Sequence, residues 1–253
     1  MITDPLFYLA AIPAVLIVGI SKGGFGGGLG LVAVPMLALV IPPTQAAAIM
    51  LPILCLMDLV AVWGFRGTYD KRNLSILLPA AAVGIGIGSL SFHMLTDHHL
   101  KLMIGGMTLL FCLHALWKEL NKQQPEPKSA DRVRGSIWGV LAGFTSFSVH
   151  AGGPPLSFYL LPQKLEKRLF VGTTVIFFAA INYTKLIPYS MLDLLPVANL
   201  TTALILAPLA PLGVWLGIRL HSRVDEKLFY RLCYLFLSLT GMKLSWEGVS
   251  ALI

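Results

Sequence analysis

The chain has 253 residues, of which 56% are apolar and only 12% are charged, and its mean hydropathy is +0.78. A soluble domain carries about a quarter of its residues as Asp, Glu, Lys and Arg, so this composition excludes a soluble globular protein. The net charge of +7 does not indicate nucleic-acid binding, because no basic stretch outside the apolar segments is interleaved with aromatic residues. The long apolar runs instead predict an all-α polytopic membrane protein in a lipid bilayer.

Six apolar runs are long enough to cross about 30 Å of hydrocarbon as single helices. In chain order they are residues 44–65, 74–92, 101–119, 169–189, 197–219 and 228–250. Two further apolar regions, 5–41 and 135–162, are interrupted by turns rich in glycine or proline. Both residues break helix interiors, so each region is predicted to form two short half-helices of roughly 12 to 16 residues. We expect each pair to form a re-entrant hairpin.

The distribution of basic residues supports the hairpin model. If each hairpin leaves the membrane on the side where it enters, most of the 19 lysines and arginines fall on one side. The positive-inside rule assigns that side to the cytoplasm. The prediction is therefore a multi-pass protein of the bacterial inner membrane, with cytoplasmic basic loops and a cytoplasmic linker at 120–134.

The hairpin model divides the chain into two inverted repeats. Residues 1–119 and 135–253 each contain one hairpin and three spans, an odd number of crossings. Asp58 and Asn182 are separated by the same offset as Gly28 and Gly152. Each half also contains a G-x-x-x-G pattern, which lets helices approach closely. Inverted repeats with broken helices that meet near the midplane are a recurring design of secondary transporters.

The first interrupted turn is a candidate binding site for a small anion. Irregular backbone at membrane depth occurs where it lines a cavity, and successive N–H groups near a helix end bind anions. Lys22 adds a positive charge there. The alternative is that the glycines only permit close packing and that Lys22 reaches a lipid headgroup. The candidate substrate-binding residues of this turn are Ser21, Lys22, Gly23, Gly24, Gly26, Gly27 and Gly28.

The second interrupted turn contains Ser146, His150, Gly152 and Gly153, followed by two prolines. All four residues are candidate substrate-binding residues. Histidine titrates in the neutral range, so His150 is a candidate for carrying a proton as well. The alternative is a histidine that only makes hydrogen bonds inside the protein.

Three polar residues lie within predicted spans. Asp58 is a candidate for proton coupling, because intramembrane carboxylates are costly and usually functional; the alternative is an ion pair with Lys22 or Lys185. Asn182 and Lys185 lie three positions apart, on one face of a helix, and are candidate substrate-binding residues. Lys185 is close to the end of its span, so its ammonium could instead extend to the membrane surface.

Motifs for enzymatic activity are absent from the sequence. There is no P-loop and no H-E-x-x-H. Gly19-Ile-Ser-Lys-Gly23 formally matches the G-x-S-x-G motif, but it lies in an apolar hairpin rather than in the strand–turn–helix elbow that this motif requires. The three cysteines form no C-x-x-C pair. We therefore expect no catalytic residues, no metal site and no cofactor; an intramembrane enzyme is the alternative from another functional class.

The interrupted turns resemble those of the TauE/SafE family, also called the sulfite exporter or TSUP family. The resemblance rests on the glycine-rich segment that ends at Pro35, on Gly143-Phe-Thr-Ser, and on His150-Ala-Gly-Gly-Pro-Pro155. It implies a secondary transporter of sulfite, sulfonates or related organosulfur anions, usually exported and driven by protons. The expected partners are a small anion, protons and the lipid bilayer. Import, or transport of another small anion such as a carboxylate, remains the alternative.

Overall fold

The computed structural model describes residues 1–24, 30–120, 127–220 and 226–251. Within these ranges the chain forms eleven α-helices and no strand, which confirms the predicted all-α fold. The helices are α1 (Pro5–Gly24), α2 (Ala33–Leu37), α3 (Pro43–Phe65), α4 (Lys71–Ser91), α5 (Asp97–Leu120), α6 (Arg132–Val149), α7 (Gly153–Leu160), α8 (Lys167–Met191), α9 (Val197–Leu206), α10 (Leu209–Leu220) and α11 (Glu226–Ser250).

Five helical segments of the described ranges are long and apolar enough to cross a membrane. They are Pro5–Gly23, Pro43–Phe65, Lys71–Met94, Lys167–Met191 and Val197–Arg219. Helices α5 and α11 occupy the other two predicted spans and contain 24 and 25 residues, although they are not among these five. The chain is therefore a multi-pass membrane protein.

The arms of the two predicted hairpins differ in length. Helix α1 has 20 residues and α6 has 18, so each rises close to 30 Å at about 1.5 Å per residue. Only the second arms, α2 and α7, are short. The prediction of two short half-helices is therefore wrong for the first arm. Helix α1 continues through the first glycines because Gly23 packs on α10, where a Cβ would lie 2.1 Å from the Val214 carbonyl oxygen.

The predicted span at 197–219 contains a break. Helix α9 ends at Leu206, and α10 begins at Leu209. Pro208 lies between them and has no N–H to continue the helix, and its ring restricts the backbone of Ala207. Tertiary packing decides the effect of such prolines, because Pro79 lies inside the continuous helix α4.

Hydrogen bonds place the starts of several helices together at one end of the bundle. The Lys128 N–H donates to the Pro162 carbonyl over 2.9 Å, so the segment containing α6 and α7 begins and ends at the same place. Asn73, near the start of α4, exchanges hydrogen bonds with Gln163. The Asp70 N–H donates to Thr173 in α8. These contacts join α4, α6, α7 and α8 at one end.

The opposite end contains the starts of α1, α3 and α9. The Ile2 N–H donates to Thr202, and Gln45 donates to Asn199, so both ends of the segment containing α1 and α2 lie beside α9. This is the geometry expected of a re-entrant segment. The position of either segment relative to a bilayer, like the division at 1–119 and 135–253, stays a prediction.

Each G-x-x-x-G helix packs on the long hairpin arm of the other half. A Cβ on Gly84 of α4 would lie 2.0 Å from the Val140 carbonyl oxygen of α6, and one on Gly217 of α10 would lie 2.3 Å from the Ile20 carbonyl oxygen of α1. Only glycine permits such close backbone contact. Helices α3 and α8 also pack together, as do α5 and α11. A two-fold relation between the halves would produce this pattern.

Helix α3 lies between two clusters of buried apolar side chains. Met50 belongs to the cluster that includes α1 and α2, whereas Leu51 belongs to the cluster that includes α4, α6 and α8. This central helix also carries Asp58, which is buried. The fold thus places the one acidic side chain of the predicted site on the helix between the two apolar clusters.

Candidate functional site

Asp58 accepts hydrogen bonds from both halves of the chain. Lys22, in the last turn of α1, forms an ion pair with Oδ1 of Asp58. Asn182 in α8 donates from Nδ2 to Oδ2 over 2.6 Å. Lys22 and Asp58 are only 6% and 1% exposed. Lys22 therefore contacts a carboxylate inside the protein rather than a lipid headgroup, and both oxygens of that carboxylate are occupied.

Lys185 supplies a second buried positive group. Its side chain is fully buried, and Nζ donates to the carbonyl oxygen and to Oγ of Ser146, each over 3.0 Å. Nζ also lies 2.7 Å from Nδ1 of His150. Lys185 thus contacts the second interrupted turn instead of extending to the membrane surface, and its role in substrate binding stays a prediction.

His150 connects this turn to α3. Its Nε2 lies 2.9 Å from the carbonyl oxygen of Ala47. A carbonyl only accepts, so Nε2 carries the hydrogen in this contact, and Nδ1 has a lone pair for Lys185. Sequence reasoning missed Ala47, whose side chain has no polar group.

The backbone of His150 is in the left-handed region, with φ 54° and ψ 26°, and ends α6. Glycine is the usual residue at such a helix end, and a non-glycine residue there is uncommon. The His150 N–H donates to the Ser146 carbonyl over 3.1 Å. The unusual backbone therefore directs the imidazole toward Lys185 and Ala47 while it closes the helix.

The two interrupted turns differ in how fully the structure describes them. Ser21 and Gly23 are buried in α1, and Gly24 is the last residue of that helix. Gly26, Gly27 and Gly28 lie outside the described residues. Gly152 and Gly153 are buried at the start of α7, where Pro154 and Pro155 have no N–H. The proposed backbone contacts to an anion in this turn are thereby limited to the glycines.

A small cavity lies among these side chains. It has a volume of about 20 Å³ and is lined by Lys22, Ser146, His150, Gly153 and Asn182, with Leu54 and Phe178 among its apolar walls. A cavity of this size admits about one water molecule. An anion with several oxygens requires its walls to separate. Sequence reasoning also missed the two apolar residues, which carry no signal in a chain this rich in such residues.

The chemistry of this cluster is that of ion binding. Among the described residues, no group of three His, Cys, Asp or Glu side chains is placed to hold a metal ion. Two cationic groups and one carboxylate at the same depth can bind an anion and can exchange protons.

Comparison with known proteins identifies the family. A family model described as Sulfite exporter TauE/SafE matches residues 11–244. No curated protein and no solved structure matches the chain significantly. The matched region includes Lys22, Asp58, His150, Asn182 and Lys185, together with all of α3 and α8 and most of α1. The chain therefore belongs to the TauE/SafE sulfite exporter family, a family of membrane transporters rather than enzymes.

Proposed function

We propose that this protein is a secondary transporter that exports a small organosulfur anion, of the sulfite or sulfonate type, across the bacterial inner membrane. The family and the apolar helices support a membrane transporter. The substrate class, the outward direction and coupling to protons are parts of the proposal. The mechanism proposed is alternating access to an anion site that both halves of the chain build.

One observation carries the proposal: a buried cluster from both halves contains two lysines and one carboxylate. Lys22 and Asp58 come from the first half, and Lys185 and Asn182 from the second. Charged side chains inside a membrane are costly, and those that occur usually mark a substrate or ion pathway. This cluster contains more basic than acidic side chains, which favours an anion as the substrate.

The proposed anion site combines charge with hydrogen-bond donors. Lys185 already donates to Ser146 oxygens at the cavity, so an anion oxygen can replace those acceptors. Lys22 can leave Asp58 for the same purpose. Hydrogen bonds from side chains and from backbone N–H groups complete the proposed site, which comprises Ser21, Lys22, Gly23, Gly24, Gly26, Gly27, Gly28, Ser146, His150, Gly152, Gly153, Asn182 and Lys185.

Two groups are proposed to carry a coupling proton. A proton on Asp58 removes the charge that holds Lys22, and the ammonium becomes available to an anion. A proton on His150 removes the lone pair that Lys185 uses. In both cases the added positive charge favours a bound anion, because opposite charges stabilise each other strongly in a medium of low dielectric constant.

The orientation follows from the charged ends of the bundle. The end that contains the starts of α4, α6 and α8 carries basic residues, including Lys71, Arg132 and Lys167. By the positive-inside rule we assign this end to the cytoplasm.

The test is flux of sulfite and of methanesulfonate in proteoliposomes, with and without a pH gradient. The variants are Lys22→Ala and, as a matched control, Lys243→Ala. The ammonium of Lys243 is exposed and lies 3.8 Å from Glu247 in a surface ion pair. We expect flux of both anions in the wild type and in Lys243→Ala, with sensitivity to the pH gradient for sulfite, and loss of the flux in Lys22→Ala.

Three outcomes would change the proposal. Absence of flux for every organosulfur anion, with flux of a carboxylate, would replace the substrate class. Flux that proceeds only inward in vesicles of known orientation would replace export by import. Full transport by Asp58→Ala or His150→Ala would remove that residue from the coupling mechanism.

A further inference from the structure

The four titratable side chains of the site form two pairs. They are Lys22, Asp58, His150 and Lys185, and among the side chains that the structure describes they are the only buried ones of Lys, Arg, Asp, Glu or His. The part of the first turn outside those ranges, residues 25–29, contains only phenylalanine, glycine and leucine. It therefore adds no charge to the site.

The Lys22–Asp58 pair has a total charge of zero. The ammonium and the carboxylate are in direct contact, and a proton that moves from one to the other leaves the sum unchanged. The Asn182 amide on the other carboxylate oxygen is neutral.

The Lys185–His150 pair carries at most one positive charge. Nζ and Nδ1 are 2.7 Å apart, a hydrogen-bond distance, so only one of the two nitrogens can hold the shared proton. Nε2 of His150 retains its hydrogen because it faces the Ala47 carbonyl. The total is one positive charge while either nitrogen holds that proton and zero once it is lost, because a neutral amine still donates to Nδ1.

From these sums we infer that the site, with the Lys185–His150 pair protonated, selects its substrate by charge: it accepts one net negative charge, which is a monoanion alone or a dianion together with one proton on Asp58. The inference rests on the proposed function and specifies its substrate class. A buried site with one uncompensated positive charge is costly, and a loaded site with none is far less so. A dianion without a proton would leave one negative charge uncompensated.

Asp58 is the acceptor for that proton because of its surroundings. When an anion binds Lys22, Oδ1 of Asp58 loses its ion pair, whereas Asn182 still donates to Oδ2. The titratable groups that interact with Asp58 from the helices around it are Lys22, Lys185, Cys55 and Tyr183. The last two are neutral as a thiol and a phenol and do not alter the sum.

Selection by charge fixes the charge that transport moves across the membrane. For a monoanion alone and for a dianion with its proton, one net negative charge crosses with each transport cycle. An inside-negative membrane potential drives that charge outward, with about 2.3 kcal/mol per 100 mV. Export then requires no proton for a monoanion, and one proton leaves with each dianion.

Methanesulfonate and sulfate test the inference, because they have similar tetrahedral shapes but carry one and two negative charges at neutral pH. Binding of each to the purified protein is measured across the neutral pH range. For the wild type we expect sulfate affinity to fall more steeply with rising pH than methanesulfonate affinity, by about tenfold per pH unit, because the dianion requires one proton more.

Exchange of Asp58 and Asn182, which share a hydrogen bond, provides the decisive variants. Asp58→Asn raises the charge of the site by one and should shift preference toward sulfate by at least about tenfold, with no pH dependence beyond that of methanesulfonate. Asn182→Asp lowers the charge and should abolish methanesulfonate binding. The double variant Asp58→Asn/Asn182→Asp keeps the composition and the total charge, so it should restore wild-type preference. The wild-type pH profiles remain decisive if a single variant fails to fold.

Formate and oxalate, a monoanion and a dianion that contain no sulfur, separate the two proposals. If only formate and oxalate bind, and formate binds more tightly, the result would support the charge inference and overturn the organosulfur substrate. Sulfate binding that is as tight as methanesulfonate binding and has the same pH dependence would overturn the charge inference and leave the transporter proposal standing. Absence of binding in both pairs would overturn both.

Discussion

Asn182 donates a hydrogen bond of 2.6 Å from Nδ2 to Oδ2 of Asp58, across 124 positions of the chain. The two residues occupy equivalent positions in the predicted repeat, so the halves meet through an acid and its neutral amide rather than through two acids. Lys22 takes the remaining oxygen. This asymmetry leaves one carboxylate in a buried cluster that contains two lysines, which is the basis of the proposed anion site.

The buried ion pair predicts strongly non-additive effects on stability. Asp58→Leu leaves Lys22 without its partner and should lower the free energy of unfolding by about 3 kcal/mol. Lys22→Met/Asp58→Leu removes both charges and should recover most of that loss. Thermal unfolding of the purified variants measures both. The double variant should still be inactive in transport; full activity would show that the pair has only a structural role.

The left-handed backbone of His150 predicts a difference between two replacements. His150→Gly and His150→Ala both remove the imidazole, but only glycine adopts φ 54° without strain. The glycine variant should be more stable by about 1 kcal/mol, and both should lose transport. Lys164, at φ 48°, is exposed and serves as the control. Its glycine variant should show the same advantage over alanine and transport normally. Equal stability of the two His150 variants would contradict the backbone argument.

The contact between α4 and α6 predicts opposite effects for two glycines on one helix. A Cβ on Gly84 would lie 2.0 Å from the Val140 carbonyl oxygen, whereas one on Gly86 would meet nothing within 4 Å. Gly84→Ala should therefore destabilise the protein by about 2 kcal/mol or more. Gly86→Ala should be neutral or stabilise it by up to about 1 kcal/mol through helix propensity. Unfolding temperatures in detergent distinguish these results, and similar values for both variants would exclude the close contact.

The proposed orientation predicts which introduced cysteines react from outside the cell. Arg72, at the basic end, and His98, near the start of α5, are both exposed. In spheroplasts, a thiol reagent that does not cross membranes should label His98→Cys but not Arg72→Cys. Disruption of the membrane should make both accessible. The parent protein is the control for its own cysteines, of which Cys55 and Cys112 are buried. The reverse labelling would invert the topology.

The sequence predicted the membrane class because composition and run length are local quantities. Apolar runs long enough to span a bilayer indicate helices without reference to other parts of the chain. Lys22, Asp58, His150 and Lys185 were recognisable for a related reason: ionisable residues inside apolar segments are rare. The lengths of the hairpin arms were less accessible, since α1 extends to Gly24 through a backbone contact with α10.

The sequence by itself determined which ionisable side chains lie inside long apolar segments, and it left their partners open. Asp58 was a candidate for pairing with either lysine, and Lys185 for extending to the membrane surface. Only the tertiary structure placed Lys22 on Asp58, and Lys185 on Ser146 and His150. The physical reason is that these contacts join residues 35 to 39 positions apart. Their geometry depends on how α1, α3, α6 and α8 pack, which no local pattern of the sequence specifies.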